Sequence, residues 1–235
     1  MKRIGSSAIL CLILALTLIG TGFMGCATTQ QAPADQIKCS YLGSDCSKLT
    51  PGAEGQAALR FVNPAAPWMK YKKVMVQPVT FWGGDDTSVS PADQQMIVDY
   101  FQGALTETIT KNFEVVTTPG EDVMKVQVAI TDTKTATPGL RSISTIIPQA
   151  RLIGSLKQLA TGTYPFVGGA QAEVKITDSV SGVVLAEAVD RRIGTGAMRA
   201  GLQWQWGDAE NAINAWAQQM DNKLTAWTTG KETAA

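Results

Sequence analysis

The chain has 235 residues and no histidine. That absence excludes His-based catalytic triads, HExxH and Cys/His zinc sites, and imidazole proton shuttles. Enzymes that work with carboxylates alone stay open. Neither sign of charge is in excess, with 20 Lys and Arg against 20 Asp and Glu. Nucleic acid requires a basic footprint and anionic lipid a polybasic patch, so neither is an expected partner. Cysteine is scarce, four in all, and Cys-x-x-Cys spacing is missing. No nucleophile, metal or cofactor motif is recognisable.

What is present begins at the N-terminus. Lys2 and Arg3 precede an apolar run of 12 residues, Ala8 to Ile19, and then Phe23-Met24-Gly25-Cys26. The basic pair holds the cytoplasmic end. The run has the length of a signal h-region and is short of the ~20 residues that span a bilayer. Residues 1–25 therefore read as a lipoprotein signal peptide, with lipidation at Cys26. Phe23 and Met24 depart from the usual Leu and small residue of that motif. The alternatives are an uncleaved anchor, or a secretory signal with an incidental cysteine. Ala27, in place of Asp, fits sorting to the outer membrane. The expected location is that membrane, lipid-anchored and facing the periplasm. Cleavage removes Lys2 and Arg3 but no acid, so the mature chain carries a net charge of −2.

Cys11 leaves with the signal, and Cys39 and Cys46 remain in an oxidising compartment. A disulfide between them would close a small loop and stabilise by roughly 2–3 kcal/mol in the chain-entropy account. A metal or redox pair is the alternative.

Residues 26–38, polar at Thr28-Thr29-Gln30-Gln31, read as a lipidated Cys and flexible tether. One domain is expected over 39–227. Leu59 to Val62 is a short extended segment. Lys73 to Val79 alternates like a half-buried strand. Ser90 as N-cap, Pro91 at N1 and Asp93 in the first turn open a helix ending near Asn112. Strands follow at 113–117 and around Val126, Val128 and Ile130. Residues 133–168 are irregular, with a helical stretch near 150–159. Residues 170–177 and 183–192 form a hairpin, with Val174 and Ile176 facing Val184 and Ala186. A last helix over 208–227 carries Ile213, Trp216, Met220 and Leu224 on one stripe, and 228–235 is a frayed tail. The fold class is α+β, a twisted mixed sheet with two main helices packed on it.

The segments Tyr41-Leu42, Ser47 to Gly52, Leu59 to Pro64, Trp68, Tyr71 to Val74 and Pro78 to Trp82 continue into Val167 to Ala170, Asp178-Ser179 and Gly182 to Ala186. In this order they resemble the bacterial lipoprotein family catalogued as domain of unknown function 3313, over about residues 39–227. The resemblance implies a lipoprotein location and this fold. It brings no catalytic residues. Cys39 and Cys46 stand where the family commonly has Ser and an aromatic, which makes the disulfide local to this chain.

Among candidate sites, Gly194-Thr195-Gly196 reads as a connecting turn, because its spacing is wrong for a dinucleotide loop. Asp178, Glu187, Asp190, Arg191 and Arg192 read as a solvated sheet face, with acid/base work by a carboxylate pair as the alternative. Trp204 and Trp206 alternate with Gln203 and Gln205 and offer a ligand groove, weighed against core packing. The leading expectation is a non-catalytic binding or envelope-assembly module whose partners are the membrane, through its lipid, and another envelope protein. The alternative is a carboxylate-dependent envelope enzyme acting on glycan or lipid. Changing Cys26→Ser should leave the precursor unlipidated and detachable. Mass spectrometry of the mature N-terminus checks this, and a free terminus elsewhere refutes it.

Overall fold

The computed structural model describes residues 29–83, 90–131, 142–144, 170–194 and 206–232. Their strands are β1 (Thr29–Gln31), β2 (Thr50–Pro51), β3 (Leu59–Val62), β4 (Lys73–Val76), β5 (Thr80–Gly83), β6 (Glu114–Val115), β7 (Val123–Thr131), β8 (Ser142–Ser144), β9 (Ala170–Asp178) and β10 (Val184–Gly194). The two long helices are α1 (Pro91–Ile109) and α2 (Trp206–Thr228). The strands form one mixed sheet in the order β2-β3-β10-β9-β7-β4-β6, with β1 on β10, and β5 between β7 and β8. β4 and β5 run parallel to β7, with α1 as the crossover. β9 runs antiparallel to both β7 and β10. This is the α+β class expected.

α1 begins where the sequence says. Ser90 Oγ accepts from the Asp93 N–H at 3.2 Å and donates to the Asp93 carboxylate at 2.8 Å. Such a cap contributes about 1 kcal/mol. Its Ile97, Phe101, Leu105 and Ile109 are buried at helical spacing. Helix α2 packs beside α1, with Trp216 stacked on Phe101 at 5.8 Å between centroids. On β9, Ala172, Val174 and Ile176 face α2, and Gln171, Glu173 and Lys175 point the opposite way, as strand alternation requires. β7 is central and nearly continuously apolar, with Val126, Val128, Ala129 and Ile130 at most 1% exposed.

Four expectations change. Residues 29–31 of the supposed tether add a strand to β10, and Ala32 is buried at 2% exposure. The reason is that β10 outruns β3 and leaves a free edge at Arg192 to Gly194 for β1 to pair with. The tail is ordered through 232: Gly230 adopts φ +70°, and the Lys231 N–H returns to Ala226 O at 2.9 Å, a left-handed helix stop. In the hairpin, Ile176 faces Ala186, Val174 faces Ala188 and Val184 faces Thr177, so Val174 and Ile176 do not pair with Val184 and Ala186 as a set. A bulge between Val184 and Ala186 shifts the register. The strand at 113–117 shrinks to Glu114–Val115. The helical stretch near 150–159, and Cys26 itself, lie outside the described residues. Among the described residues no helix is long and apolar enough to cross a membrane.

Trp216 is 5% exposed, and its indole N–H donates to Asp190 Oδ2 at 2.7 Å. The α2 stripe is therefore core, and no free docking face. Trp216→Ala should cost roughly 3–5 kcal/mol. Trp216→Phe, which keeps the ring and loses the donor, should cost about 1–3 kcal/mol. Urea midpoints at constant m-value separate the two.

Candidate functional site

The sheet face away from the helices is polar and sealed. Residues 37–48, with a 3-10 turn at Gly43–Lys48, fold back across it. Glu173, 0% exposed, accepts from the Ser40 N–H at 2.9 Å, the Ser40 hydroxyl at 3.1 Å and the Leu42 N–H at 3.1 Å. Gln171 Nε2 donates to Lys38 O at 2.7 Å and to Thr131 Oγ1 at 2.8 Å. Lys175 Nζ sits 2.6 Å from Asp45 and 3.1 Å from Glu187 Oε1, the latter an ion pair without hydrogen-bond alignment. Tyr41 meets Trp82 edge-on at 5.4 Å.

Burial pushes the Glu173 carboxyl up, against the backbone N–H groups of Ser40 and Leu42. Burial likewise raises Glu187, against Lys175. Lys175 is itself raised: burial lowers it, and Asp45 and Glu187 outweigh that. Lys175 and then Lys48 hold Asp45 well below the usual carboxylate range.

Cys39 and Cys46 are joined in a disulfide with Cα atoms 5.7 Å apart. Their sulfurs and a Glu173 oxygen lie within 4.8 Å of one another, a spacing a cation could use only after reduction of the bond.

The expected solvated face is thus corrected. Asp178, Glu187 and Asp190 are 6%, 1% and 4% exposed. Asp178 does form the hairpin turn, accepting from the Val180 and Ser181 N–H groups, but its other oxygen takes the Tyr71 hydroxyl at 2.9 Å and Lys70 at 3.1 Å. Burial opposes its charge, and Ser181, Lys70 and Tyr71 prevail and hold its carboxyl low. Asp190 accepts from Trp216, from the Ala58 N–H at 3.1 Å and from Gln31. Arg192 Nε lies 3.5 Å away. No local signal in the hairpin reveals that distant segments cover these acids.

The second place is apolar and open. A slot of about 100 Å³ lies between α2 and strands β3, β10 and β9. Val62, Ala172, Val174, Ile176, Ala186 and Ala188 form one wall, and Trp216, Met220, Leu224 and Trp227 the other. The half-exposed Gln56, Arg60, Gln219 and Lys223 mark its mouth. Gln219 bridges the mouth by donating to Gly55 O at 3.0 Å. Gly52 shapes the neighbouring loop, since a Cβ there would meet Ala57 O at 2.1 Å. The sequence reading missed this slot and Glu173. A usable signal was alanine repeated at alternate strand positions, where β-branched residues are favoured. Of the expected tryptophan groove, Trp204 lies outside the described residues, and Trp206 opens α2 with its side chain outside them.

The chain matches the family described as protein of unknown function DUF3313 over residues 38–220 and belongs to it. It is similar to an uncharacterised lipoprotein, YdcL, of Escherichia coli, with 29% identity over 157 residues. That match spans 66% of this chain and 66% of the relative, just under two thirds of the relative's length. Among solved structures, a PelC dodecamer from Paraburkholderia phytofirmans aligns at TM-score 0.35 and 13% identity, over 69% of this chain and 94% of that one. A DUF4136 family protein from Bacteroides thetaiotaomicron aligns at TM-score 0.31 and 8% identity, over 71% and 95%. Overlaps this loose carry no functional argument.

The raised Glu173 has a consequence for stability against pH. The folded state holds its proton more tightly than the unfolded state, so its contribution is full below about pH 4.5 and is lost as pH rises through the raised value. The depressed Asp45 and Asp178 act oppositely, losing their contribution as pH falls below about 3.8. The melting temperature of Glu173→Gln relative to the parent should therefore climb as pH increases from 4 to 7. A constant difference across that range refutes the assignment.

Proposed function

We propose that the protein is a lipid-anchored, non-catalytic binding or assembly module, held by Cys26 at the periplasmic face of the outer membrane. One observation carries the binding half. The raised carboxylates Glu173 and Glu187 are buried at 0% and 1% exposure, whereas the concavity open to solvent is walled mainly by apolar side chains and touched by Glu187 and Asp190 only as buried residues. Acid/base work on a glycan or lipid needs its carboxylates in reach of substrate. Here the segment from Lys38 to Lys48 occupies that space, crosslinked by the Cys39–Cys46 disulfide. The missing histidine supports the same reading. The anchoring half rests on the Lys2-Arg3, apolar run and Gly25-Cys26 pattern, and on similarity to a relative that is itself a lipoprotein. Acyl chains at ~0.8 kcal/mol per buried CH₂ would make detachment negligible.

The test is fractionation and affinity capture of the mature protein from envelope extracts. The protein should sediment with outer membrane, co-purify with an envelope protein, and lose the membrane association in Cys26→Ser. Hydrolysis of glycan or lipid by the purified protein, abolished in Glu187→Gln, would instead establish the enzyme.

A further inference from the structure

We propose that Cys39, Cys46 and Glu173 form a zinc site when the two cysteines are thiols. The pair then has two states, a disulfide and a metal centre. The site lies on the polar sheet face, away from the slot, and needs neither the anchor nor a protein partner.

Glu173 is the unusual member. It is 0% exposed, and buried charges are as a rule paired with a counter-charge or bound to a metal. Its donors are all neutral: the Ser40 N–H and hydroxyl, the Leu42 N–H and the Gln171 amide. Among the described residues it forms no ion pair. Lys175, two positions along β9, is taken by Asp45 and Glu187. The Ser40 N–H lies nearer to Oε1, at 2.9 Å, than to Oε2, at 3.2 Å. Oε2 therefore keeps a lone pair beside the Leu42 N–H, and it faces Cys39 Sγ at 3.5 Å. The Cys46 sulfur lies within 4.8 Å of the same group.

These spacings suit zinc. With Zn–S about 2.3 Å and Zn–O about 2.0 Å, a tetrahedral site has a sulfur–oxygen edge of about 3.5 Å and a sulfur–sulfur edge of about 3.8 Å. Freed of their bond, the sulfurs reach that second edge by side-chain rotation, with their Cα atoms still 5.7 Å apart. Loss of the bond leaves the ligands in place, because each cysteine is flanked by anchors that involve no sulfur. On either side of Cys39, Lys38 O accepts from Gln171 at 2.7 Å and the Ser40 N–H donates to Glu173. Beside Cys46, Asp45 sits 2.6 Å from Lys175. The Ser40 and Leu42 N–H groups orient the carboxylate, as outer hydrogen bonds do at metal centres. Both cysteines are half-buried, so solvent delivers the ion and supplies a water as the fourth ligand. Thiolates exclude the hard cations, which take oxygen, and the carboxylate selects zinc over copper(I). Binding displaces the two thiol protons, and no electrons move.

The test uses the whole protein in detergent, reduced with a trialkylphosphine. The phosphine takes oxygen from water to become its oxide, and the water protons go to the two thiols. Zinc chloride is then titrated in competition with a chromophoric chelator. The reduced protein should take up one zinc per chain and melt at a higher temperature with it, and the oxidised protein should take up none. Cobalt(II) in its place should show thiolate charge transfer and the intense visible bands of a tetrahedral site. X-ray absorption of the zinc form should show two sulfurs at about 2.3 Å and two oxygens at about 2.0 Å. Cys39→Ser and Cys46→Ser should abolish binding, and Glu173→Gln should weaken it at least about tenfold. If Glu173→Gln does not fold, the oxygen shell of the parent decides the carboxylate. The proposal is overturned by absence of saturable binding to the reduced protein, or by equal binding to the oxidised one. Binding that survives Cys39→Ser places the metal at other cysteines and overturns it too. Four sulfurs around the zinc would mean an ion shared between two chains, and unchanged affinity in a folded Glu173→Gln would remove the carboxylate, and either result refutes the site.

Discussion

The carboxylate of Asp190 ties together pieces of chain that lie far apart in sequence. It takes hydrogen bonds from Gln31 on β1, from the Ala58 backbone ahead of β3, and from the indole of Trp216 on α2. A buried charge is costly unless its acceptor sites are filled, so each donor is held where the acid needs it. The register of β1 on β10, the path of the loop before β3 and the rotation of α2 are fixed together. The slot is a by-product of the same arrangement. α2 is pinned at Trp216 near one end of β10, and the alanines at 186 and 188 leave space beneath its later turns.

The two faces of β9 are both covered, by opposite chemistry. Ala172, Val174 and Ile176 meet the helix side, where burial of apolar area suffices. Gln171, Glu173 and Lys175 meet residues 37–48, where each polar atom demands a geometry. The disulfide sits in that cover, with Cys39 Sγ 3.5 Å from the Glu173 carboxylate. The result is a covered polar face and an apolar face with room in it. Among the described residues, the second face is the one where a concavity opens to solvent.

Local patterns carried much of the fold. The Ser90-Pro91 start of α1, the alternation in β7, the Asp178–Gly182 turn and the Trp216 stripe were legible, because capping, strand period and turn chemistry act within a few residues. The Cys39–Cys46 pair was legible from its short spacing and from the expected compartment. The site was barely legible. Glu173 looked like one more polar strand residue, and its partners Ser40 and Leu42 lie more than 130 positions away. Thr29 to Gln31 looked like tether, and only the open end of β10 makes it a strand.

By itself the sequence determined the class: an α+β domain without histidine chemistry, belonging to a lipoprotein family recognised by ordered short segments. Those properties depend on composition and on near neighbours along the chain. Only the tertiary structure decided which acids are sealed, which face is polar and where space remains. Burial and cavity volume are sums over contacts between distant segments, and the bulge between Val184 and Ala186 shows how one residue re-aims them. It sets Ala188, and no larger side chain, opposite Val174, at the wall where the slot opens.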